Sequence, residues 1–352
     1  MNTIRIESGE PYDVYVGERL CVGGLIRGAL KNAVRAAVIS DDTVFSLYGK
    51  SVTDSLLSEG FDVCRFVFPH GEASKSMAVL TDIVSFLAEN SLTGTDAVIA
   101  LGGGVVGDIA GFAAAVYRRG IDFVQIPTTL LAAVDSSVGG KTAVDLPCGK
   151  NLVGAFHSPR AVVCDTSFLR SLPEIQWQCG MAEVIKYAYL CDAPLFDRLH
   201  ATEYDLSELI DISVRHKRDY VVGDEHDHGK RRFLNLGHTL GHAVETHSGY
   251  RLTHGAAVAV GMVYITRIAE TMRLAPKGLC ETLSALLIQN SLPVSYPIDT
   301  ETLYKRLCAD KKTAGNDITL ILPTGIGQCI LKTLPLTELH TLLHDTFGDN
   351  AV

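Results

Sequence analysis

Short apolar runs alternate with helical spacings along the first half of the chain. Residues 36–40 (AAVIS), 62–68 (DVCRFVF), 96–101 (DAVIAL), 123–126 and 161–164 are rich in small and β-branched apolar residues, the mark of strands buried on both faces. Between them, residues 44–59 and 76–90 place apolar side chains at the three- and four-residue spacing of amphipathic helices. Strands alternating with helices predict a doubly wound, parallel α/β sheet, which binds its ligands at the carboxyl ends of its strands. The texture changes near residue 172. Over 174–290 strands nearly vanish, and GMAEVIKYAYL, ELIDISVRHKRDYVV, GHTLGHAVETH and AAVAVGMVYITRIAE all read as helices. One late β pair, 318–323 with 329–334, follows. The expected organisation is an α/β; N-terminal parallel-sheet, dinucleotide-binding domain over 1–172 and a mainly helical domain over 173–352.

Composition narrows the function. The 352 residues suit two domains, and 31 basic against 40 acidic side chains give a net charge of −9. That balance argues against a nucleic-acid binder, whose footprint is a basic stripe. The most apolar stretch, 97–116, is broken by Asp108 and several glycines, so no membrane span is expected. The start, MNTIRIESGEPYDVYVG, has neither a basic n-region nor an apolar core, so no secretory leader is read there. The 9 cysteines contain no C-x-x-C pair and read as reduced thiols of a cytoplasmic protein.

Chemistry enters with DAVIALGGGVVGDIAGFAAAV, a strand, three glycines at 102–104 and a helix expected to begin near Val106. Glycines let a backbone approach a pyrophosphate, and a helix N-terminus offers unpaired N–H groups and a positive dipole end. The spacing is not the G-x-G-x-x-G fingerprint, so a tight helix–sheet turn is the competing reading. Asp41 and Asp42 end the AAVIS strand, placed either to bind a ribose or adenine or to cap the next helix. HGEASK (70–75) and Pro127-Thr128-Thr129 also end strands, and together these loops point to one shared ligand edge.

The helical region holds Glu183, His238, His242 and His254. His238 and His242 stand four apart and share a helix face, without the Glu that would make an H-E-x-x-H motif. Glu183 lies in an otherwise apolar helix and needs a partner. Two imidazoles and a carboxylate with an open position form a catalytic zinc pattern. The spacing leaves open which two histidines bind. Lys141, Lys150, Lys186, Lys217, Arg231, Lys311 and Lys312 flank these motifs, suiting a substrate with phosphate and carboxylate groups.

The stretch GGGVVGDIAGFAAAVYRRGIDFVQIPTTLLAAVDSSVGGKTAVDLPCGKNLVGAFHSP closely resembles the 3-dehydroquinate synthase family of sugar-phosphate cyclases. GMAEVIKYA, LNLGHTLGHAVE, LTHGAAVAVGM and DKK follow in that family's order, and the resemblance spans roughly residues 10–345. It implies zinc, or cobalt, held by Glu183, His238 and His254, with His242 left for proton transfer or support. It implies NAD on Asp41, Asp42, Gly71, Glu72, Lys75, Gly103, Gly104, Val105, Val106, Gly107, Asp108, Thr128, Thr129, Phe168, Leu169, Arg170 and Ser171. Asp135, Lys141, Lys150 and Asn151 would line a cleft between cofactor and substrate. Lys186, Lys217, Arg231, Asn235, His242 and Lys311 or Lys312 would bind a small sugar-acid phosphate. Arg119 would reach across a homodimer. One departure is Gln176, where many relatives carry Glu. The implied reaction turns 3-deoxy-D-arabino-heptulosonate 7-phosphate into 3-dehydroquinate and phosphate, by transient oxidation, β-elimination, re-reduction and aldol closure. The alternatives are another sugar-phosphate cyclase, or a metal-dependent alcohol dehydrogenase like glycerol dehydrogenase.

Overall fold

The computed structural model describes residues 1–311 and 316–348, less the side chains of residues 310 and 311. The expectation for Lys311 and Lys312 therefore lies outside the described residues. The chain divides into two compact units. The first comprises residues 1–176 and 206–227, the second 177–205 and 228–352.

In the first unit, β1 (Asn2–Ile6), β2 (Tyr12–Gly17), β3 (Arg35–Asp41), β4 (Asp62–Phe68), β5 (Ala97–Gly102) and β6 (Asp122–Pro127) enter one sheet. A hairpin follows, β7 (Lys141–Leu146) with β8 (Gly149–Phe156), and then β9 (Ala161–Asp165) returns to the sheet. The sheet order is β1-β2-β9-β6-β5-β3-β4, with every pair parallel except β1 with β2. The period of two divides each strand between two cores. Ala37, Ile39, Val98 and Ala100 face one core, shared with apolar residues of the helices Met77–Glu89 and Gly104–Val116. Ala36, Val38, Ala97, Ile99 and Leu101 face the other, shared with the helices Val22–Ala29 and Lys50–Ser58. Burial on both faces is what the near-continuous apolar runs foretold.

The chain leaves β3 toward β4 and comes back to β5 on the other side of β3. That reversal is the topological switch point, where open α/β sheets bind their ligands. The carboxyl ends of β3 and β5, Asp41 and Gly102, flank it.

The second unit is mainly helical, with one antiparallel pair, β10 (Asp317–Gly325) and β11 (Gln328–Pro335). One placement differs from the sequence reading. The helix Leu206–Val221, expected in the helical domain, belongs to the first unit, where it packs on β1, β2 and the stretch Ala132–Ser136. Its apolar stripe (Leu209, Ile210, Val214, Val221) looks like any core-facing helix and does not name the core it faces.

Candidate active site

In the first unit the predicted cofactor residues lie at and after the carboxyl ends of β3, β4, β5, β6 and β9. Asp41 caps the turn after β3, its carboxylate accepting from the amide of Val44 at 2.8 Å. Asp42 accepts from the His70 amide at 3.1 Å and meets His70 Nδ1 at 2.7 Å, which brings the β3 and β4 ends together. These hydrogen bonds hold the Asp42 carboxyl below the ordinary carboxylate range. The next residue, Gly71, has φ +101°, a conformation that favours glycine.

The glycine loop opens a helix at Gly104, two residues earlier than expected. The first ladder bond runs from Gly107 N to Gly103 O, so the amides of Gly104, Val105 and Val106 precede the ladder. Thr128 donates its amide to Gly102 O at 3.0 Å, and Thr129 Oγ1 accepts from Ala132 N at 3.2 Å. A side chain at Gly103 would strike Thr129 at 2.8 Å, so glycine is what lets these two strand ends meet. Phe168, Leu169, Arg170 and Ser171 form a 3₁₀ stretch after β9, anchored by the Tyr48 hydroxyl to Phe168 O (3.0 Å) and Ser171 Oγ (2.6 Å).

The cations of this unit are tethered. Lys75 Nζ, buried, lies 2.6 Å from Asp108 Oδ2 and 2.5 Å from Asn151 Oδ1. Lys150 pairs with Glu72 at 3.5 Å. Lys217 Nζ reaches Asp135 O at 2.5 Å and Oδ1 at 2.8 Å, a contact made by the Leu206–Val221 helix. Lys141 Nζ meets Asp227 Oδ2 at 2.5 Å, a partner that sequence reading missed. Arg119 is exposed in a turn with φ +67°.

In the second unit, Glu183 projects from the helix Glu174–Cys191, which is buried continuously from Cys179 to Leu190. Glu183 is 0% exposed. His238 and His254 each occupy the first position of a helix, His238–His247 and His254–Thr271. Those helices touch backbone to backbone. A Cβ on Gly261 would stand 2.0 Å from Gly237 O, and one on Gly241 would stand 2.8 Å from Ala257 O. This close approach brings the rings of His238 and His254 to 5.2 Å.

Glu183 Oε1 lies 3.6 Å from His238 Nε2 and 3.5 Å from His254 Nε2. A tetrahedral ion with bonds of about 2.0–2.2 Å holds its ligand atoms roughly 3.3–3.6 Å apart, so this donor set fits one. His238 Nδ1 faces Leu236 O at 3.2 Å, which leaves Nε2 with its lone pair toward Glu183. Burial pushes His238 down to about 3, so its ring is neutral. Burial would also lower His254, but the facing carboxylates of Glu183 and Glu245 outweigh it and push the ring up to about 9. Carboxylates that favour a proton on this imidazole would equally favour a metal cation beside it.

Two further side chains complete the cluster. The buried ammonium of Lys186, one turn along from Glu183, pairs with its Oε2. Glu245, also buried, faces His254 Nδ1 at 3.8 Å, and sequence reading missed it. Its only sequence signal was a carboxylate on the apolar side of the GHAVE helix. His242 is exposed, its ring 5.5 Å from that of His238 and 6.0 Å from that of His254. With Glu245 and His254 it forms an overlapping donor set, but Glu183 faces the other pair. Arg231 is buried and Asn235 exposed on the 3₁₀ turn that leads into His238.

Two family models match consecutive parts of the chain, "3-dehydroquinate synthase N-terminal" over residues 65–179 and "3-dehydroquinate synthase C-terminal" over residues 180–313. The chain belongs to the 3-dehydroquinate synthase family. The 3-dehydroquinate synthase of Streptococcus thermophilus (strain CNRZ 1066) is 42% identical over 344 residues, covering 95% of this chain and 97% of that protein. Membership makes the chain a carbon–oxygen lyase. Solved cyclases share the fold at lower identity. A 2-deoxy-scyllo-inosose synthase complexed with carbaglucose-6-phosphate, NAD+ and Co2+ is 27% identical, with a TM-score of 0.86 over 98% of this chain and 100% of that one. The 2-epi-5-epi-valiolone synthase of Streptomyces hygroscopicus subsp. jinggangensis 5008, with NAD+ and Zn2+ bound, is 29% identical, with a TM-score of 0.85 over 94% and 95%. The 42% against 27% and 29% favours the dehydroquinate reading over the two rival cyclases.

Proposed function

We propose that the chain converts 3-deoxy-D-arabino-heptulosonate 7-phosphate to 3-dehydroquinate and phosphate, with NAD and a zinc or cobalt ion as resident cofactors. The observation that carries this reading is the convergence of Glu183, His238 and His254 at ion-compatible spacing in a member of that family. Those three residues would hold the metal. The strand ends at Asp41, Asp42, Gly71, Gly103 to Asp108, Thr128 and Thr129 would hold NAD. When bound, NAD takes up and returns a hydride, and the ion polarises the substrate oxygen as a Lewis acid.

The chain's own residues supply position and charge. In the second unit Lys186, Arg231, Asn235 and His242 present cationic and hydrogen-bonding groups to a doubly anionic sugar acid. In the first unit Lys217 and Lys141 are held by Asp135 and Asp227, so their ammonium groups are aimed before substrate arrives. Once the C5 hydroxyl is a ketone, the C6 proton is acidic and phosphate leaves by β-elimination. The departing phosphate can itself take that proton, so no side chain is assigned to it. After C5 is reduced again, the ring opens and an intramolecular aldol reaction closes the carbocycle.

The assay is phosphate release from the heptulosonate phosphate, with and without a chelator. Phosphate should appear without lasting NADH absorbance, and chelation should stop it. Accumulating NADH would instead favour the dehydrogenase reading. Glu183→Ala and His254→Ala should each lose turnover together with tightly bound metal. We also infer a cytoplasmic homodimer, with Arg119 reaching the neighbouring site. Its exposed turn and the exposed Leu152 and Phe156 of β8 support that pairing, and light scattering tests it. Among the described residues no helix is long and apolar enough to cross a membrane, and all nine cysteines are free thiols.

A further inference from the structure

A second group of metal-ligating side chains lies in the second unit, separate from the Glu183, His238 and His254 set. Glu301 stands in the first turn of the helix Thr300–Lys311, and His340 and His344 stand four apart on the helix Leu336–Phe347. That spacing puts both imidazoles on one helix face. His340 Nε2 lies 2.6 Å and His344 Nε2 3.0 Å from the same oxygen, Glu301 Oε1. The two rings are 4.6 Å apart, and Tyr304 stands edge-on to His340 at 4.6 Å.

We propose that Glu301, His340 and His344 form a second metal site, for a first-row divalent cation such as zinc, copper, nickel or cobalt. Two imidazole nitrogens and one carboxylate are the donors those ions prefer, whereas magnesium and calcium take oxygen ligands. The three ligand atoms already lie within 4.8 Å of one another. Seating a tetrahedral ion asks the His344 N···O distance to open by about 0.3 Å and the His340 one by about 0.7 Å, to roughly 3.3 Å. Glu301, His340 and His344 are 48%, 38% and 27% exposed, so their side chains can make that adjustment and water can fill the remaining positions.

Binding replaces the hydrogen bonds at Oε1 by metal–nitrogen and metal–oxygen bonds. Each neutral imidazole then carries its proton on Nδ1, and any imidazolium gives one proton to solvent. Exposure and the small rearrangement make this site weaker than the buried one at Glu183. Its occupant would clamp the Leu336–Phe347 helix to the Thr300–Lys311 helix, adding to the bond from the Thr300 hydroxyl to Gly348 O.

The test uses the full-length, metal-loaded protein, equilibrated with excess zinc and freed of unbound ion. Metal content by atomic emission should reach two ions per chain. It should fall to one in a His340→Ala/His344→Ala variant and in Glu301→Gln, and zinc should raise the thermal midpoint of the parent by more than that of these variants, which keep the Glu183 site. Glu183→Ala should keep the second ion while losing the first, which assigns each ion to its site. One ion per chain in the parent protein, or two in the double-histidine variant, would overturn the proposal.

Discussion

His254 turns its two ring nitrogens toward two different carboxylates: Nε2 lies 3.5 Å from Glu183 Oε1, and Nδ1 lies 3.8 Å from Glu245 Oε2. A carboxylate on the far nitrogen of a metal-binding imidazole fixes its tautomer and raises its basicity. Glu245→Gln should therefore weaken metal binding by about 10–100-fold, the usual cost of losing such support. Competition with a chromophoric chelator measures this. Unchanged affinity would mean that Glu245 merely fills space.

Lys141 is half exposed and pairs with Asp227. With its lysine half exposed and Asp227 19% exposed, the pair contributes about 0–1 kcal/mol to stability after solvent screening. Lys141→Ala should therefore leave the thermal midpoint nearly unchanged while turnover falls by about 10²-fold, the scale of removing one preorganised donor. A collapsed midpoint would assign the lysine a structural role.

Asp96 supplies a pH dependence unrelated to the chemistry. Burial would raise its carboxyl, but bonds from the Thr93, Val34 and Arg35 amides and the Thr93 hydroxyl outweigh that and hold it below the ordinary value. A depressed carboxyl stabilises the fold above its unfolded pKa, near 3.9, and that contribution is lost as pH falls through the lower folded value. Asp96→Asn should cost about 1.5–3 kcal/mol near neutral pH, the range for hydrogen bonds to a charged group. In urea titrations the gap from the parent should close at acid pH. A gap independent of pH would show that the charge is irrelevant.

β3, β5, β6 and β9 were legible because they are buried on both faces, and apolar runs such as AAVIS record that burial directly. β4, read in the same way, is an edge strand with only Phe68 buried, and β2 was not read at all. β7 and β8 were not legible either. Only Thr142 and Val144 of the pair are buried, so the hairpin leaves no apolar run to read. The metal ligands show the same divide. Spacing put His238 and His242 on one helix face, yet only the contact between two helices brings His254, rather than His242, to Glu183. Family resemblance named the right neighbours where periodicity stopped. Lys141 and Asp227 stand 86 residues apart, a separation across which no local pattern speaks.

The helix Leu206–Val221 reaches the first unit only after 29 residues, 177–205, have been spent on the second. Neither unit is thus a contiguous stretch of chain. On the ribosome the first unit cannot close until residue 227 has emerged, by which time the segment bearing Glu183 has already been made. A fragment cut near residue 172 would lack Lys217 and the covering of β1 and β2. Separating the two halves as independent proteins would therefore require re-splicing the chain rather than cleaving it.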